Sequence, residues 1–139
     1  MIRLAGLLLV CVACKADPPP APARQAPPST RPASITDADL ASFDKLIVKL
    51  EQVASAVTAA GSDCAKATAA VEATATDAGA LLAETAKIEQ RTRKDPAAEA
   101  WAFANYAPRV TKPMGQLMEG PCSKDDAYAA ALKRLQAAR

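Results

Sequence analysis

From Thr36 onward the apolar side chains return every three or four residues and never alternate in twos, so the only regular structure open to this chain is the α-helix. Leu40, Phe43, Ile47, Leu50, Ala54 and Val57 share one stripe. Thr36 followed three residues later by Asp39 has the form of a capping box, and Gly61 supplies a stop, which predicts a first helix over about residues 37–60. A second stripe runs Cys64, Ala67, Val71, Thr74, Ala78, Leu81, Thr85 and Ile88, predicting a helix over about 63–92.

Asp95-Pro96 is a strong start signal for a third helix, because the carboxylate can cap the orphan amides and proline at the first helical position has no donor to lose. Its stripe is Phe103, Ala107, Val110, Met114 and Leu117, and Gly120-Pro121 ends it. Pro108 and Pro113 fall inside; each deletes a backbone hydrogen bond and crowds the carbonyl four residues back, which predicts a kink or break near 105–113. Ser123 with Asp126 forms a second capping pair, and a fourth helix over about 124–137 presents Tyr128, Ala131, Leu132 and Leu135. Four amphipathic helices joined by short loops predict an all-α, antiparallel up-down-up-down four-helix bundle over residues 36–139. A long-helix coiled-coil oligomer is the alternative, disfavoured by the short loops and the differing helix faces.

The first 35 residues read differently. Arg3 precedes ten uncharged residues from Leu4 to Ala13, the apolar length of a secretory signal and well short of the roughly 20 residues that cross a bilayer. Residues 17–34 then hold seven of the chain's eleven prolines and no large apolar side chain, so they predict an extended, disordered spacer rising about 3.1 Å per residue where polyproline-like. The segment Cys11-Val12-Ala13-Cys14 resembles the lipobox of bacterial lipoproteins with type II signal peptides, although leucine is usual where Cys11 stands. That resemblance implies removal of residues 1–13, acylation of Cys14 by up to three chains, and a lipid-anchored tether over 14–35. A plain secretory signal with Cys14 unmodified, and a Cys-x-x-Cys redox or metal motif, are the competing readings.

Lys15 after Cys14 lacks the aspartate that marks inner-membrane retention in such lipoproteins, which points to the outer membrane, facing the periplasm. In that oxidising compartment Cys64 and Cys122 are the only two thiols left once residues 1–13 are removed and Cys14 is acylated. An up-down bundle brings the starts of its second and fourth helices to the same end, so the pair is expected to form a disulfide.

Chemistry is sparse. The chain has no histidine, which removes the commonest general base and the usual zinc and haem ligand; a cytochrome b562-like bundle is the nearest shape, but its haem function cannot be carried over. Glycine-rich phosphate loops and nucleophile elbows are absent. Residues 36–139 carry 13 basic and 14 acidic side chains, with one basic cluster, Arg91, Arg93 and Lys94, at a helix end where the dipole explains it, so no nucleic-acid partner is expected. No catalytic residue, metal or cofactor is expected. The function read from the sequence is therefore a non-enzymatic, membrane-anchored envelope lipoprotein, either a structural or protein-binding module or a small-ligand carrier. The carrier would use a cavity beside the third helix, with Trp101, Tyr106 and Met114 as candidate binding residues.

Overall fold

A computed structural model describes residues 30–138; the expected signal peptide, Cys14 and most of the expected tether lie outside the described residues. Five helices follow in order: α1 (Asp37–Ala60), α2 (Cys64–Asp77), α3 (Gly79–Thr92), α4 (Pro96–Glu119) and α5 (Asp126–Ala137). No strand occurs among the described residues. The fold is all-helical, as the spacing predicted.

α1 starts and stops on its predicted signals. The Thr36 hydroxyl accepts from the Asp39 amide, the Asp39 carboxylate accepts from the Thr36 amide, and Gly61 closes the helix at φ 59°, a conformation a Cβ would strain. Along its length α1 packs against α2, α3 and α4. A helix with three neighbours buries more than one stripe, so Leu46 and Val53, off the predicted face, are also buried.

Three expectations need correction. The single helix over 63–92 is two, divided at Ala78, whose φ −98° and ψ 4° leave the helical region while its amide still donates to the Thr74 carbonyl at 2.9 Å. Gly79 directly after it weakens helix propagation at that point. Beyond the interruption Leu82 rather than Leu81 is fully buried, while Thr85 and Ile88 of the predicted stripe are buried as expected. In the other direction, of the kink or break expected near 105–113, a break is absent: α4 continues for 24 residues through Pro108 and Pro113. Each proline removes a single hydrogen bond, while Ala98 before them and Leu117 after them are completely buried and hold the two ends. At α5 the cap is Asp125, whose carboxylate accepts from the Tyr128 amide, not Ser123, so the helix begins at Asp126.

The core is built from small side chains of α1, of α2 and of the seam after it (Ala54, Ala67, Val71, Ala78), closed by larger ones: Leu82, Leu117, Tyr128 and Leu135. Its buried threonine hydroxyls are satisfied locally, Thr85 donating to the Leu81 and Leu82 carbonyls and Thr92 to that of Ile88.

At the end where α1 begins, Asp39 is nearly buried and its carboxylate lies 2.7 Å from the Arg91 guanidinium at the close of α3. Burial alone would raise the Asp39 pKa, but the Thr36 amide, the Arg91 guanidinium and the Thr36 hydroxyl outweigh it and hold it below its ordinary value. The unfolded chain therefore binds a proton more readily than the fold, so this stabilisation is complete above about pH 4 and is lost as pH falls through the folded-state pKa. Arg91→Ala is expected to raise the Asp39 pKa, followed by NMR titration of its carboxyl. It should also cost about 1 kcal/mol at neutral pH and nothing once Asp39 is protonated in both states.

Candidate functional site

α5 has 12 residues against 24 in α1 and in α4, so at 1.5 Å per residue it reaches about half their length. It packs on α2 and leaves α3 uncovered on that side. Beyond its C-terminal turn an apolar cavity of about 300 Å³ opens between the first half of α1, α3 and α4. Phe43, Leu46, Ile47 and Leu50 come from α1 and Leu82 from α3; Ala102, Phe103, Tyr106, Val110 and Met114 come from α4, and Leu132 and Leu135 of α5 close the near end. Polar lining groups come from the last turn of α3 and just beyond it (Glu89, Thr92, Arg93), from Glu99 in the first turn of α4, and from Gln136.

The wall of α4 is fixed through Tyr106. Its ring lies 5.0 Å from that of Phe43 across to α1 and 6.2 Å from that of Trp101 on its own helix, with the Arg109 guanidinium 5.6 Å from its centroid. Arg109 is itself tied to Asp44 of α1 at 2.7 Å. Burial, reinforced by the negative Asp44 and partly offset by Arg109 and Arg31, raises the Tyr106 phenol above its ordinary pKa. The phenol is thus neutral at physiological pH, and this ladder of rings and charges pins α4 to α1 beside the cavity.

Of the sequence-predicted binding residues, Tyr106 and Met114 line the cavity and Trp101 does not; it stands behind Tyr106. Phe103, placed on the buried stripe by its spacing, is 67 % exposed at the cavity wall. The contributions of α1, α3 and α5 were not anticipated. The signal that could have found them is the short final helix, about 14 predicted residues against more than 20 in its neighbours, since a fourth arm of that length cannot cover the other three. Pro108 and Pro113 border a separate, polar depression with Glu51, Ser55 and Lys112 between α1 and α4.

At the opposite end Cys64, the first residue of α2, and Cys122, in the loop before α5, form a disulfide with Cα atoms 5.4 Å apart. Among the described residues no cluster of three or more histidine, cysteine or acidic side chains is placed to hold a metal, and no helix is long and apolar enough to cross a membrane. Comparison of the chain with protein-family models, with curated proteins and with solved structures yields no match in any of the three.

Proposed function

We propose that this chain is a non-enzymatic lipoprotein of the bacterial cell envelope, held by acylated Cys14 at a membrane surface facing the periplasm. On this reading residues 1–13 are removed, residues 14–35 are the tether, and the folded domain is a binding module. Lys15 in place of a retention aspartate favours the outer membrane. The domain is a four-arm up-down-up-down bundle in which α2 and α3 together form the second arm, and α4 bends at Pro108 and Pro113 to follow α1.

Within that class, binding of a small apolar ligand is the better supported reading, and the apolar cavity beyond α5 carries it. Binding clefts are characteristically concave, mostly apolar and rimmed by a few polar groups, and this one has that make-up at the lower limit of the usual volume range. A structural or protein-binding role is the second reading, favoured by the exposed Phe103.

The anchor is tested by mass spectrometry of the mature protein from its native envelope. The expected N-terminal peptide begins at a Cys14 carrying acyl mass. An unmodified peptide that retains residues preceding Cys14 would remove the lipoprotein assignment and leave the cavity to be judged separately.

A further inference from the structure

Resting on the binding reading above, we infer that the cavity between α1, α3 and α4 is a site for one acyl chain of a single-chain amphiphile. The shape of the site selects this class. A partner helix is about 10–12 Å across and needs a trough with an open floor. Here the floor residues Ile47, Leu50 and Leu82 keep only 2 %, 6 % and 1 % of their surface exposed, so the opening is a slot. A slot of about 300 Å³ suits a narrow, flexible, unbranched chain.

The chemistry of the lining agrees. The floor is hydrocarbon, where a ligand's hydrogen-bonding group would be stranded without a partner at a cost of kilocalories. Thr92 has no donor to spare, since its hydroxyl already donates to the Ile88 carbonyl at 2.8 Å. Arg93, Glu99 and Gln136 are exposed where they meet the cavity, so a head group there stays in water. Both signs of charge occur among them, which leaves the chain and not the head as the recognised part.

The location of the site favours the same occupant. Asp95, two residues after the cavity residue Arg93, accepts from the Ser34 hydroxyl at 2.6 Å, so the segment arriving from the N-terminus meets the domain beside the slot. The largely exposed Phe103 lies at that end too. An acyl chain can come from two sources there: a lipid of the surface that holds the protein, or the protein's own N-terminal acyl group on Cys14.

Trp101, 6.2 Å from the wall residue Tyr106, is a built-in reporter. Its fluorescence would be titrated in residues 14–139 carrying Cys14→Ser, using octanoate, decanoate and dodecanoate below their micelle limits, with naphthalene as a compact apolar probe. The expected result is saturable binding that tightens about fourfold per added methylene until the slot is full. Ala102→Phe and Val110→Trp, which fill the slot from α4, should each weaken dodecanoate binding at least tenfold with helical circular dichroism retained; if one fails to fold, the other decides. Naphthalene binding without dependence on chain length overturns the acyl inference and leaves the binding reading standing. Failure of every probe overturns both. The native acylated protein separates the sources: a signal already at its saturated value assigns the chain to Cys14, whereas a titration matching Cys14→Ser assigns it to an external lipid.

Discussion

Reducing the Cys64–Cys122 disulfide lowers the unfolding free energy by about 4 kcal/mol, the chain-entropy value for a closed loop of this size, in which the two cysteines lie 58 residues apart. With a urea dependence of about 1–2 kcal/mol per molar, the midpoint should fall by roughly 2 M or more. The same loss is expected in the Cys64→Ala, Cys122→Ala double variant, which then becomes insensitive to reductant. The effect is large because the domain is small and its core is rich in alanine, so total stability is of the same order as the cross-link. Equal midpoints with and without reductant would show that the bond does not constrain the unfolded chain.

Tyr128 carries the second large effect. It is completely buried, and its hydroxyl donates to the Leu117 carbonyl at 2.8 Å, joining α5 to the end of α4. Tyr128→Ala removes the largest fully buried side chain and is expected to cost about 3–5 kcal/mol. Tyr128→Phe keeps the ring and loses the hydrogen bond, at about 1–2 kcal/mol. The two variants also differ from the native protein in alkali. Burial raises the Tyr128 phenol above its ordinary pKa, so the fold keeps a proton that the unfolded chain releases near pH 10. Its contribution is complete below that pH and is lost as pH rises through the folded-state value. Denaturation curves of Tyr128→Phe taken from pH 8 to 11 should therefore decline less steeply than those of the native protein. Parallel declines would assign the alkaline loss to other groups.

How much of this was legible in the sequence depends on which force set each feature. Capping is local chemistry, and Thr36, Gly61, Asp95 and Pro96 mark the ends of α1 and α4 where they were expected. The cysteine pair was legible because an up-down arrangement was expected to return Cys64 and Cys122 to one end, and the two are joined in a disulfide. Packing decided the remainder. Pro108 and Pro113 are strong local signals against a helix, yet buried neighbours on both sides carry α4 through them. Ala78 is a good helix former and Gly79 a weak breaker, so nothing in the local sequence marked the seam between α2 and α3 with equal strength. The candidate site was half legible. Tyr106 and Met114 were found as aromatic and sulfur side chains on a suspect helix, whereas Ile47, Leu50 and Leu82 read as ordinary core positions. Their difference from core lies in what is missing above them, and that follows from the length of α5.

The disulfide and the arriving N-terminal segment sit at opposite ends of the molecule, which gives the domain a load path. Pulled at Thr30, the chain transmits force first to the Arg31–Asp37 and Ser34–Asp95 contacts, then into α1, which ends at Gly61. The covalent clamp between the start of α2 and the loop before α5 lies beyond that point and is reached last. The end that holds the cavity is therefore tied to the arriving segment by non-covalent contacts, while the far end carries the covalent link.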